Sequence, residues 1–236
     1  MADNLSPQRP NPEAAAAMAR HLEAIRRVKV NHDYAYHSDA LLESKLGFMA
    51  SECDMVLDVG QSTRARIELF QRDRIETMEI NVGEPMADII DDICAPNRLQ
   101  ADRYDGIVCL SVLEHVYDPF AAIHEIHRLL RPDGYLLLHL PFLFRYHAPL
   151  DLRFTDGYRF SRDGLAWMLR DFSEVTLYSI RGPWSAIFNL HKSWKNVIEK
   201  HFGMAPARWL DRFGMSLRRR PTSDLQVSGY YAWARK

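Results

Sequence analysis

The sequence has no run of about 18 or more apolar residues, so no segment is long enough to cross a bilayer as a helix. It has almost no net charge: 30 Lys and Arg stand against 31 Asp and Glu, −1 overall. That is too balanced for a chain that coats nucleic acid by charge alone. It has only three cysteines, Cys53, Cys94 and Cys109, with no CxxC pair and no zinc-like spacing. They read as reduced thiols in a cytoplasmic protein. The first twenty residues lack a basic stretch followed by an apolar one, so they do not read as a secretory leader. There is no internal repeat, and no low-complexity segment beyond Ala14 to Ala17.

What is present is ordinary globular material. The apolar fraction is 47% and the charged fraction 26%, enough apolar surface to offset chain entropy. At 236 residues the chain fits one α/β domain or two small ones. The near-zero charge hides an asymmetry. From Pro183 to Lys236 there are ten basic residues and three acidic ones. A cationic tail on an anionic body points to an anionic partner or surface near the C-terminus, or to a solvated helix face.

The patterning alternates. Residues 1–11 read as loose chain, and 12–28 and 39–50 as helices. Met55 to Gly60 (MVLDVG) reads as a buried parallel strand ending in an acid and a glycine. A helix at 65–71, a strand at 74–81 and a short strand at 88–93 follow. Tyr104 to Leu110 is an apolar strand, and Pro119 to Leu130 a helix with Phe120, Ile123, Ile126, Leu129 and Leu130 on one face. Arg131 to Gly134 (RPDG) reads as a turn in which Gly134 supplies a positive φ. Strands at 135–140, 174–180 and 225–234, a helix at 161–170 and a helical stretch at 183–221 complete the chain. Alternation of this kind implies a parallel sheet with helices on both faces and a ligand at the carboxyl ends of the central strands.

Acids sit at those ends. Asp58 closes the first core strand, Glu79 the second and Asp92 the third. Together they describe a pocket for a ligand with a cation, a ribose diol and an adenine amine. Glu79 lies 19 residues after Gly60, about the interval at which an acid meets a ribose in nucleotide-binding βαβ units. A carboxylate accepts from both ribose hydroxyls.

The chain resembles the class I S-adenosylmethionine-dependent methyltransferases. The matching pieces are VLDVG at 56–60, MEIN at 78–81, DDI at 91–93 and YDGIVCLSVLEHVYDPFAAIHEIHRLLRPDGYLLLHLPF at 104–142. That last block is similar to a branch acting on quinones, polyketides, lipids and sugars. The stretch PFLFRYHAPLDLRFTDGYRFSRDGLAWML looks like members associated with bacterial glycan and natural-product assembly. The resemblance implies a Rossmann-like, mostly parallel sheet of seven strands, the last antiparallel, with helices on both faces, and S-adenosylmethionine as cofactor. It implies a core over residues 51–182, preceded by a helical segment at 1–50. A helical insertion at 183–224 and a final strand at 225–236 would follow. By the same resemblance Asp58 and Gly60 lie beside the methionyl end of the cofactor. Glu79 holds the ribose, Asp92 and Ile93 bracket the adenine, and Ser111 and Leu113 line the wall near the sulfonium.

One departure matters. Where the family reads Asp-x-Gly-x-Gly-x-Gly, this chain has Ser62 and Arg64 in place of the second and third glycines. Either side chain could bond the cofactor carboxylate; alternatively the pocket is partly filled and binding is weak.

Methyl transfer to oxygen needs an aligned nucleophile and often a base, and no metal in principle. His147 is the first candidate base, with Asp151 to orient it and Tyr146 and Arg153 to contact an anionic substrate. His115 is the competitor. His124, Glu125 and His127 read as a solvated helix face rather than a metal cluster, and His139 as a core residue with a satisfied nitrogen. The aromatic and basic stretch from Trp184 to Arg220 fits a lid or membrane-surface patch, a sugar platform, a homodimer interface, or simple packing onto the sheet. The expectation is O-methylation of a glycan, nucleotide-sugar or related small molecule, with no nucleic acid partner. The alternative is a non-catalytic binding or assembly subunit with a degenerate glycine loop.

Overall fold

The computed structural model describes residues 11–32, 38–81, 86–96, 98–149, 154–190, 206–207, 209–211 and 226–236. Its elements are α1 (Pro12–Arg27), β1 (Lys29–Asn31), α2 (Ser38–Glu52), β2 (Val56–Val59), β3 (Ile75–Glu79), β4 (Ile89–Ile90) and β5 (Tyr104–Leu110). They continue with α3 (Pro119–Leu129), β6 (Leu130–Pro141), α4 (Arg162–Met168), β7 (Glu174–Ile180), α5 (Pro183–Leu190) and β8 (Gly229–Arg235). The eight strands form one sheet in the order β1-β7-β8-β6-β5-β2-β3-β4. Only β8 runs antiparallel to its neighbours, β6 and β7.

The strand order reverses between β2 and β5, which pair in parallel with Val56 opposite Gly106. Chain leaving these two strands diverges to opposite sides and opens a crevice at the carboxyl edge. The apolar strands are buried on both faces because side chains alternate across a pleated sheet. Val56, Val108 and Leu137 pack against Leu42, Leu46 and Met49 of α2. Leu57, Val59, Ile107 and Cys109 pack against Ile126 and Leu129 of α3 and Leu165 and Met168 of α4. The expected α/β sheet with helices on both faces and an antiparallel last strand is therefore observed.

Several local readings need correction. The sheet has eight strands rather than seven, because Lys29–Asn31 pairs in parallel with Thr176 to Tyr178 at the edge. A three-residue edge strand is too short to show a period in sequence. The 65–71 helix is a 3₁₀ segment, Arg64–Leu69. The 131–134 turn lies within β6, and its positive φ belongs to Asp133 at 67°. Gly134 serves close packing instead, since a Cβ there would sit 2.9 Å from the Arg131 carbonyl oxygen. Phe120 points outward, 48% exposed, and the buried face of α3 is Ala122, Ile123, Ile126 and Leu129. Glu125 is buried and paired with Arg128, and His127 packs edge-on against Phe172 at 5.1 Å, so that face is not simply solvated.

The start of the expected insertion is anchored. Asp211 is buried and accepts from the backbone N–H groups of Gly182 (3.2 Å), Trp184 (2.8 Å) and Ser185 (3.2 Å), capping α5 from a distant segment. Most of the expected insertion, including 191–205 and 212–225, lies outside the described residues. Among the described residues no helix is long and apolar enough to cross a membrane.

Candidate active site

The loop after β2 is built around Asp58, which is wholly buried. Its Oδ1 accepts from the Ser62 N–H at 2.8 Å and the Ser62 hydroxyl at 2.7 Å. Its Oδ2 accepts from the Thr63 N–H at 3.0 Å and the Thr63 hydroxyl at 2.5 Å. Burial pushes the carboxyl up from its ordinary range, and these four hydrogen bonds oppose that. Ser62 therefore supports the loop from beneath instead of filling the crevice. Gly60 and Gln61 carry the turn with φ of 72° and 45°. A Cβ on Gly60 would lie 2.6 Å from Val112 Cγ2, so the loop passes close to the segment after β5.

Glu79 ends β3 half-buried. Burial raises its pKa, while the charge of Arg64 pulls the other way. Asp92 follows β4, and its Oδ1 accepts from the Cys94 N–H at 2.8 Å. Its Oδ2 accepts from the Tyr117 hydroxyl at 2.9 Å. Ile93 and Leu113 are buried in the core beneath these acids. Ser111 takes a positive φ of 57° at the end of β5, and its hydroxyl lies 2.7 Å from His139 Nδ1. Burial pushes His139 down to about 4, so its ring is neutral and partnered, as expected of a core histidine.

The second half of the site is assembled from the chain after β5 and after β6. Residues 154–158 dock alongside 114–117 through the contact of His115 Nδ1 with the Thr155 carbonyl oxygen at 2.5 Å and three further hydrogen bonds. The Gly157 N–H donates to the Glu114 carbonyl at 2.8 Å, the Tyr158 hydroxyl to the Tyr117 carbonyl at 3.0 Å, and the Thr155 hydroxyl to the His115 carbonyl at 3.3 Å. This brings His115 and His147 together, ring centroids 4.8 Å apart. His147 Nδ1 faces Asp156 Oδ2 at 3.0 Å, and its Nε2 faces Glu114 Oε1 at 3.6 Å. The Glu114 carboxylate beside the ring and the charge of Asp156 raise its pKa against the effect of burial. Asp156 is itself clamped by both Arg159 guanidinium nitrogens. Burial alone would raise the Asp156 carboxyl, but Arg159 and His147 hold it down at about 2. Glu114 is fully buried, and neither carboxylate oxygen has a hydrogen-bond partner among the described residues.

Of the sequence candidates, Asp58 is bonded to Ser62, Asp92 to Tyr117 and Ser111 to His139, while Gly60 and Glu79 lie at the ends of β2 and β3 and His115 meets His147. Tyr146 is 55% exposed next to His147. Asp151 and Arg153 lie outside the described residues. Sequence reasoning missed Asp156 as the partner of His147, and with it Arg159 and Tyr117. The only signal for the first two was an Asp and an Arg three apart beside Gly157.

Residues 12–173 match the family model described as methyltransferase domain, over two thirds of the chain. The chain belongs to the methyltransferase-domain family. Solved methyltransferases share the fold. One is an S-adenosylmethionine-dependent methyltransferase from Archaeoglobus fulgidus, with a TM-score of 0.54 and 17% identity, covering 84% of this chain and 93% of that one. Another, from Thermotoga maritima, has a TM-score of 0.50 and 13% identity, covering 95% and 97%. A third is Haemonchus contortus phosphoethanolamine N-methyltransferase 2 in complex with S-adenosyl-L-methionine. It has a TM-score of 0.50 and 13% identity, covering 85% of this chain and 52% of that one. Two ubiquinone biosynthesis O-methyltransferases match over short segments. That of Alkalilimnicola ehrlichii is 46% identical over 35 residues, 15% of this chain and 14% of the relative. That of Haemophilus ducreyi is 45% identical over 38 residues, 16% of each chain.

The cofactor of this methyltransferase is S-adenosylmethionine. Gly60 turns with φ of 72° against Val112, and Glu79 presents a half-buried carboxylate at the end of β3, a group that can accept from a diol.

Proposed function

We propose that this methyltransferase transfers the methyl group to a hydroxyl of a small acceptor bearing an anionic group, such as a nucleotide-sugar or a related glycan precursor. The observation that carries the reading is His147, held by Asp156 at 3.0 Å on one nitrogen and set beside Glu114 at 3.6 Å on the other. When bound, S-adenosylmethionine supplies an electrophilic methyl group. The protein must then place the acceptor oxygen and take its proton. The Asp156 carboxylate keeps a proton on His147 Nδ1, which leaves Nε2 as the basic atom. A proton accepted there is stabilised by Glu114 on one side and Asp156 on the other.

Two features support an anionic acceptor. Arg145, two residues before His147, has a buried Nη1 with no hydrogen-bond partner among the described residues. The stretch from Pro183 to Lys236 carries the excess of basic residues noted above. It begins at the carboxyl edge of the sheet, where α5 leaves Trp184 (44%), Ile187 (55%) and Leu190 (48%) exposed. The reading of a non-catalytic subunit rested on loss of glycines, and Ser62 is instead accommodated by Asp58.

The test is a screen of nucleotide-sugars, oligosaccharides and quinols with isotopically labelled cofactor. Transfer to a hydroxyl, lost in His147→Gln while S-adenosylhomocysteine binding persists, is the expected outcome. A methylated nitrogen in the product, or full turnover by His147→Gln, would overturn it.

A further inference from the structure

Glu114, His115 and His147 present three ligand atoms within 4.8 Å of one another, from the chain after β5 and after β6. Glu114 Oε1 lies 3.8 Å from His115 Nε2 and 3.6 Å from His147 Nε2. Tetrahedral ligands at about 2.0–2.2 Å from an ion are about 3.3–3.6 Å apart, so small ring rotations close the set.

The protons on the two rings are assigned by their outer partners. His115 Nδ1 lies 2.5 Å from the Thr155 carbonyl oxygen, which can only accept. His147 Nδ1 faces Asp156 Oδ2 and the Arg145 carbonyl oxygen, which also only accept. Both rings therefore carry their proton on Nδ1, and in the neutral form both aim an Nε2 lone pair at Glu114. A buried carboxylate with no hydrogen-bond donor among the described residues, facing two lone pairs, is a set of three acceptors that a bound cation would satisfy. Histidines whose outer nitrogens donate to a carbonyl and a clamped carboxylate are built as metal ligands usually are.

We propose that Glu114, His115 and His147 bind a divalent transition metal of the zinc and iron(II) class. Two imidazoles and one carboxylate favour such ions over magnesium or calcium. Three protein ligands leave positions open for an acceptor oxygen, and the ion would lower the pKa of a hydroxyl placed there. That role rests on the acceptor-site reading above, in which the proton on His147 and the ion are alternatives; the binding of the ion does not. The sequence suggested no metal here, because the third ligand is 32 positions from His115 in the chain.

The experiment is titration of chelator-treated, full-length protein with cobalt(II), read by visible absorption, and competition by zinc(II). A histidine-ligated cobalt spectrum saturating at a single equivalent is expected, displaced by zinc. It should be lost in Glu114→Gln and His147→Gln and unchanged in the surface control His124→Gln. Asp156→Asn leaves every ligand in place and should weaken cobalt binding about 10- to 100-fold. Melting curves and S-adenosylhomocysteine binding show that each variant is folded. No such spectrum, or the same spectrum in folded Glu114→Gln and His147→Gln, overturns the metal site. Failure here with turnover still dependent on His147 leaves the acceptor reading standing. Cobalt binding with turnover independent of His147 defeats the acceptor reading alone.

Discussion

Asp156 meets His147 twice: its Oδ2 accepts from the His147 backbone N–H at 2.8 Å and lies 3.0 Å from the ring Nδ1. One buried carboxylate thus positions both the backbone and the side chain of the candidate base. Asp156→Asn keeps the shape and removes the charge. Turnover should fall about 10- to 100-fold, the usual cost of losing a group that orients a functional histidine. Cofactor affinity should be unchanged in the same preparation. Equal losses of both would point to collapse of the 154–160 segment instead.

Ser62 donates its hydroxyl to Asp58 at 2.7 Å. Replacing it by glycine would restore the family's spacing but remove a charge-assisted hydrogen bond. Ser62→Gly should lower stability by about 1.5–3 kcal/mol in denaturant titration, with no gain in cofactor affinity. Tighter binding at unchanged stability would mean that Ser62 obstructs the crevice after all.

Gly60 combines a φ of 72° with the 2.6 Å approach to Val112. Gly60→Ala should cost about 1–2 kcal/mol for the left-handed backbone alone. The displaced Val112 should also reduce binding of S-adenosylhomocysteine. Calorimetry and thermal melts on the same sample separate the two effects.

His139 gives a pH dependence with a definite sign. Burial holds it down at about 4 in the folded protein, against about 6.5 in the unfolded chain. Between those values the unfolded chain binds a proton that the folded one refuses. Stability should therefore fall as pH drops from about 6.5 to about 4. His139→Gln keeps a hydrogen-bonding group toward Ser111 and removes the titration. The difference in unfolding free energy between the two proteins should change across that window and level off below it. A pH-independent difference would show that His139 ionises alike in both states.

The strands that carry the cofactor candidates were legible in sequence because their patterns are local. Asp58 lies within β2, Glu79 ends β3 and Asp92 follows β4 by two residues, and a short apolar or alternating run marks each strand. The His147 cluster was not. His147 meets Asp156 and Glu114 because residues 154–158 fold back along 114–117 through hydrogen bonds about forty residues apart in sequence, and such pairings leave no periodic signal. The same holds for β1, whose three residues join the sheet by pairing with β7. Phe120 failed for another reason: helical spacing puts it on the edge of the apolar face, and packing left it outside.

The most direct test is calorimetric titration of the purified protein with S-adenosylhomocysteine, alongside Glu79→Ala. Micromolar binding by the parent protein, weakened at least tenfold in the variant, is the expected result for a cofactor crevice that runs from Gly60 to Glu79. No binding at millimolar cofactor, or equal binding by folded Glu79→Ala, would contradict the assignment of that crevice.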